Sequence, residues 1–116
     1  MARFTANNDN TGRLLKLAEA SVAYAATIAV TPNASKTYFN VAQLTGNATI
    51  NATVSNCEIN DEVVFTFSAD GSNRTVTFGT GLNASATIVV AASKNATTSF
   101  VFNGTTFVET GRAIGA

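Results

Sequence analysis

Histidine and tryptophan are missing from this chain of 116 residues, which carries one cysteine, one proline and one methionine. Without histidine there is no imidazole base, no Ser-His or Cys-His nucleophile pair, and no zinc site of the Cys/His kind. Cys57 cannot make an internal disulfide on its own. No cationic residue lies beside it in sequence to mark it as a nucleophile, so it reads as a small, partly buried side chain. Charge is also scarce. Seven Lys and Arg balance seven Asp and Glu, 12% of the chain with a net charge of zero. That leaves no basic stripe of the kind that binds nucleic acid. No apolar run approaches the roughly 18 residues that span a membrane. The first ten residues lack the apolar segment of a secretory signal. These absences point away from an enzyme and imply no cofactor or metal.

What is present is neutral. The chain has 20 Ala, 18 Thr, 13 Asn and 8 Ser, and 46% of its residues are hydrophobic. One small domain with a core of its own fits this length. Residues 1–12 are polar and turn-prone, and read as an extended or poorly ordered arm unless a partner holds it. Residues 13–21 hold Leu14, Leu17 and Ala18 at a helical spacing with Thr11 as a possible cap, but two turns need tertiary support. The extended reading is preferred because the rest is so strongly β. The division expected is an N-terminal arm and lead-in segment over 1–21 and a β-domain over 22–116.

From Val22 onward β-branched and aromatic residues dominate. Strands are expected over 26–30, 36–43, 48–54, 62–69, 73–78, 86–92, 98–102 and 105–109. Ala48, Ile50, Ala52 and Val54 alternate with Thr49, Asn51 and Thr53, the period of a half-buried strand. Val63, Phe65 and Phe67 share one face, and so do Val76 and Phe78. Asp70-Gly71 reads as a tight hairpin turn between those two strands. Asn103-Gly104 reads as a type I′ hairpin, which needs positive φ at both central residues. The run from Ala86 to Ala92 is apolar on both faces and reads as a central strand, and residues 111–116 as a short tail. The expected fold is all-β: a single antiparallel β-sandwich or jelly-roll-like domain of about eight strands with an extended N-terminal arm. The stretch from Asn33 to Ile50 aligns with the stretch from Asn83 to Thr98, but low-complexity Ala/Asn/Thr sequence explains that match better than duplication does.

Candidate chemistry is thin. Asn56, Glu58, Asn60 and Glu62 alternate oxygen ligands and suggest a calcium loop, without the pattern of a known loop type. Glu58 and Asp61 are the nearest thing to a catalytic carboxylate pair. A solvated loop accounts better for all of them. Gly79-Thr80-Gly81 lacks the lysine and the helix of a phosphate loop. Seven asparagines, at 33, 47, 51, 73, 83, 95 and 103, stand in Asn-x-Ser/Thr, where composition alone gives about three. Asx-turns and polar strand faces explain this excess better than glycosylation. Tyr24, Tyr38 and Phe39 suit core packing better than stacking on a sugar or a base.

A neutral surface of Thr and Asn suits association that salt does not screen, and zero net charge lets identical copies sit side by side. The arm carries Arg3, Phe4, Arg13, Leu14 and Leu15, followed by Leu17, groups able to order on a partner. The stretch Phe65 to Gly81, with Asp70-Gly71-Ser72-Asn73-Arg74-Thr75-Val76-Thr77-Phe78 inside it, then Ala86 to Val90 and Ser99 to Glu109, resembles β-modules in virion structural proteins of tailed bacteriophages. The likeness covers about the C-terminal half. Such modules occur in capsid decoration (cement) proteins and in tail-fibre proteins. The resemblance implies a head decoration protein on the outer capsid surface, a dimer or trimer bound to the major capsid protein, with no nucleic-acid or membrane partner. The short length and initial Met1 fit a small whole protein of that kind. The alternative it implies is a tail-fibre or head-fibre module that binds a host glycan through Tyr24, Tyr38 and the Asn-rich loops. A polysaccharide depolymerase using Glu58 and Asp61 ranks third.

Overall fold

The computed structural model describes residues 16–115. They form ten strands and no helix: β1 (Leu17–Val22), β2 (Thr27–Val30), β3 (Lys36–Val41), β4 (Ala48–Ala52), β5 (Glu62–Ser68), β6 (Arg74–Phe78), β7 (Leu82–Asn83), β8 (Ile88–Val90), β9 (Asn95–Phe102) and β10 (Phe107–Ile114). A six-stranded sheet has the order β1-β3-β5-β9-β10-β7, and a four-stranded sheet the order β2-β4-β6-β8. The chain changes sheet at every step from β1 to β9. Only β9 and β10 are consecutive neighbours in one sheet.

This winding overturns the expected antiparallel architecture. Five of the eight strand pairings are parallel, and three are antiparallel. Parallel neighbours need a long crossover, and here the strand of the opposite sheet supplies it. Leu17 pairs with Lys36, and Lys36 with Glu62; between each pair the chain crosses to the other sheet and back. The arrangement is sandwich-like, but its parallel windings do not follow the antiparallel Greek keys of a jelly roll. The strands number ten because β1 and the two-residue β7 join the eight expected.

Alternation decides the faces. β4 buries Ala48, Ile50 and Ala52, and β5 buries Val63, Phe65 and Phe67, as their period of two requires. Ile28, Val30, Phe39, Val76, Ile88, Val90, Phe100 and Phe107 from both sheets complete one core. Thr37 is the exception on the inner face of β3. Its hydroxyl has no hydrogen-bond partner among the described residues, a burial that costs about 1–3 kcal/mol.

Four local expectations change. Asp70-Gly71 is not a hairpin turn: β5 and β6 lie in different sheets, and Gly71 does not take positive φ. Asp70 instead holds the chain between them, accepting from Arg74 Nε and Nη2 at 2.8 Å each and from the Ser72 amide at 3.2 Å. Asn103-Gly104 does join a hairpin, yet only Gly104 has positive φ. The Asn103 side chain closes this turn by accepting from the amides of Thr105 and Thr106, both at 2.9 Å. The run from Ala86 to Ala92 gives an edge strand of three residues, β8, with Val89 exposed. The expected tail pairs through Ile114 as part of β10. The two self-similar stretches put their strands in opposite sheets, β3 against β8, so they are not a structural repeat.

Candidate functional site

Among the described residues the densest polar cluster lies on β10. In a regular strand, residues i and i+3 face opposite sides. A bulge between Glu109 and Gly111 adds one residue, and this turns Glu109 and Arg112 to the same, inner side. There Arg112 Nε donates to Glu109 Oε2 and Nη2 to Oε1, both at 2.9 Å. Thr98 of β9 donates to Oε2 at 2.6 Å, and the Ser85 amide and hydroxyl reach Oε1 at 3.1 Å. Arg112 also donates to the carbonyls of Thr87 and Ala86, at 3.0 and 2.8 Å. Burial by itself would push the Glu109 carboxyl up. The guanidinium, the Thr98 hydroxyl and the Ser85 donors outweigh it and hold the carboxyl at about 2. An open concavity of about 410 Å³ lies above, lined by residues including Asn83, Ser85, Val108 and Thr110. Sequence reasoning passed over this pair. The signal for it is the isolated glycine in Glu109-Thr110-Gly111-Arg112, since a lone glycine in a strand marks a bulge.

Chemically this cluster is a staple. Glu109 accepts five hydrogen bonds, and Arg112 spends its donors on Glu109 and two carbonyls. Together they fix the 85–87 segment against β10.

The expected carboxylate loop is organised differently from a cation site. Asp61 is buried, and its Oδ2 accepts the Glu58 amide at 2.9 Å. Asn60 has φ 73° and donates its amide to Phe102 O at 2.8 Å. The Glu62 carboxylate faces Lys36 at 3.6 Å, across β5 and β3. Lys36 also sits 5.2 Å above the Tyr38 ring, and these two neighbours, Tyr38 first, raise its pKa. Among the described residues no group of three or more Asp, Glu, Cys or His side chains is placed to hold a metal ion. Cys57 is half-buried, with its thiol 3.5 Å from Pro32 O. The segment Gly79-Thr80-Gly81 hugs β4. A Cβ at Gly81, whose φ is +80°, would lie 2.3 Å from Ala52 O.

The two tyrosines separate. Tyr24 packs against the core, and its hydroxyl donates to Asn47 O at 3.0 Å. Tyr38 lies on the outer face of β3, 38% exposed. The asparagines act as cross-links between successive windings. Asn47 precedes β4 and accepts the Thr75 amide of β6 at 2.9 Å. Asn73 precedes β6 and accepts the Ala92 amide beyond β8 at 2.9 Å. Asn51 accepts the Thr80 amide at 2.8 Å. On the outer face Asn40 bridges two strands, donating to Glu19 at 2.8 Å and accepting from Thr66 at 3.0 Å.

Of the residues expected to touch a partner, Arg3, Phe4, Arg13, Leu14 and Leu15 lie outside the described residues. Leu17 opens β1 and is 77% exposed. No helix among the described residues is long and apolar enough to cross a membrane. No family model matches the chain, and no curated protein matches it.

Proposed function

We propose that the chain is a virion structural protein: a head decoration (cement) protein that binds the outer surface of a phage capsid in many copies. The resemblance of β5–β6 and β8–β10 to virion β-modules carries this reading. The chemistry of the described residues supports it. The best-organised polar groups, Glu109, Arg112, Asp70 and the asparagines, are spent on holding the chain to itself. The chain as a whole has zero net charge and only 12% charged residues, which suits packing against copies and a shell. In this reading Arg3, Phe4, Arg13, Leu14, Leu15 and Leu17 contact the major capsid protein, and the β-domain bridges neighbouring subunits as a dimer or trimer. Added area across the seams would resist outward pressure from packaged DNA.

Removing residues 1–15 is expected to abolish binding to purified capsids while leaving the far-UV circular dichroism and cooperative unfolding of the β-domain unchanged. Saturation of capsids by the shortened chain would sink the role given to the arm. A second reading rests on Tyr38, an exposed aromatic beside Lys36 on an outer sheet face. It makes the chain a tail-fibre or head-fibre module that binds a host glycan. Copy number per particle separates the two: decoration requires one comparable with that of the shell subunit, a fibre part far fewer.

A further inference from the structure

The two ends of the stacked sheets are finished differently. At the closing end the edge strands are β7, of two residues, and β8, of three. The stretch of β10 beyond its pairing with β7 carries a bulge, and the Glu109–Arg112 staple holds the 85–87 segment beside it. Short strands, bulges and covering loops are how proteins blunt sheet edges. Among the described residues the opening end has none of these. β1 is six residues long and β2 four, both regular, without proline or an inward-pointing charge. The single charge on them, Glu19, is tied to Asn40 on the outer face.

The free groups can be assigned. Lys36 N donates to Lys16 O, and Ala42 N to Val22 O. Even-numbered residues of β1 therefore face β3, and alternation turns the N–H and C=O of Leu17, Glu19 and Ser21 outward. Thr49 N donates to Ala26 O and Thr53 N to Val30 O. By the same alternation Thr27 and Ala29 present their backbone groups at the edge of β2. Residues 23–26 alone separate the two strands, so the two edges, unpaired among the described residues, belong to one winding and stand one sheet spacing, about 10 Å, apart.

We infer that this end is an interface between two copies of the chain, with β1 pairing antiparallel to the same strand of the second copy across a twofold axis. A single foreign strand satisfies one edge. A second copy carries two edges at the matching spacing, and an axis perpendicular to the sheets brings its β1 and β2 to both. It also extends the core, because Ala20 and Val22 of β1 are only partly buried in one copy. Zero net charge puts no overall repulsion in the way. The Leu17 side chain projects from the outer face and stays available to another partner. The inference stands on edge geometry alone, whether or not the chain decorates a shell.

Hydrogen exchange and sedimentation of the full chain over a range of concentrations test this. The expected result is a dimer at high concentration, with slowed exchange at Leu17, Glu19, Ser21, Thr27 and Ala29 that disappears on dilution. Ser21→Pro with Ala29→Pro removes two edge donors and no ladder bond within the sheets, and should yield a folded monomer with fast exchange at the remaining edge amides. If the prolines disturb folding, Ser21→Lys with Ala29→Lys applies the same block by charge. A chain that stays monomeric at every concentration overturns the inference. So does an oligomer that survives both double variants, or one of threefold or higher order. Protection that is independent of concentration and vanishes on removal of residues 1–15 assigns the edge to the chain's own arm, and overturns it too.

Discussion

Phe65→Ala is expected to destabilise the chain by about 3–5 kcal/mol, the range for removing a fully buried aromatic ring. The ring stands at the centre of the aromatic cluster. It stacks on Phe39 at 5.3 Å and on Phe67 at 6.1 Å, meets Phe100 edge-on at 5.9 Å, and lies 6.3 Å from Phe78 of the opposite sheet. Alanine leaves a cavity bounded by both sheets, which the two-layer geometry cannot close by moving one strand. Domains of this size are stable by roughly 5–15 kcal/mol, so the variant would sit close to unfolding at room temperature. Phe78→Ala, at a half-buried position on β6, should cost distinctly less. Urea unfolding of both variants checks the difference. Equal shifts in midpoint would show that Phe65 does not hold the central place.

The second large effect concerns the bulge on β10. Arg112→Met removes the cation but leaves the Glu109 carboxylate, whose side chain is only 7% exposed. A buried charge stripped of its partner costs about 3–5 kcal/mol; the open concavity above brings the expected loss down to about 2–3 kcal/mol. Glu109→Gln should cost less, since an amide keeps part of the hydrogen bonding and Arg112 keeps its two carbonyls. Acid separates the variants further. The folded-state carboxyl titrates at about 2, below its ordinary 4.5. A depressed carboxyl contributes stability that is complete above its unfolded value and is lost as pH falls through the folded one. The unmodified chain should therefore lose about 2–3 kcal/mol between about pH 5 and pH 2. Glu109→Gln should flatten that slope, because nothing at position 109 titrates. Thermal unfolding across this pH range reads both effects. An unchanged slope in Glu109→Gln would assign the acid sensitivity to other carboxylates, beginning with Asp70, which Arg74 also holds below its usual range.

The faces of this fold were legible because they depend on local alternation. Val63, Phe65 and Phe67 could only point one way, and Ala48, Ile50 and Ala52 likewise. Partners were not legible, because pairing depends on where the chain goes next. Asp70-Gly71 has hairpin chemistry, yet inner faces rich in Phe and Val pack across a core as readily as they sit side by side, and here they pack across it. Asn103-Gly104 succeeded as a hairpin because Phe102 and Phe107 flank it and both are buried. Its turn type failed because the Asn103 carboxamide satisfies the loop amides without a positive φ. β8 misled because small apolar residues in Ala86 to Ala92 carry no mark of which face meets solvent. The Glu109–Arg112 site stayed hidden for a related reason: at spacing i, i+3 two strand residues look opposed until a bulge is allowed for. The calcium reading of Asn56 to Glu62 rested on spacing alone, and the backbone bonds of Asp61 and Asn60 give that loop a different use.

The winding from sheet to sheet also fixes an order in time. Every pairing of one of β1 to β6 with another of them joins residues about twenty or more apart, and non-local pairing is slow to form. β9 and β10 are the one pair that a short local turn can bring together, so the hairpin around Asn103 is the natural first structure. It lies at the C-terminal end. A ribosome delivers the chain from its N-terminus, so β1 to β8 emerge before the strand on which β5 must pair. Phe65 and its neighbours are then expected to wait unprotected until β9 has left the exit tunnel. In ribosome-bound chains tethered through an unstructured C-terminal extension long enough to clear the tunnel, protease resistance should appear only when β9 (Asn95–Phe102) is included, and resistance in a chain ending before Asn95 would refute that order.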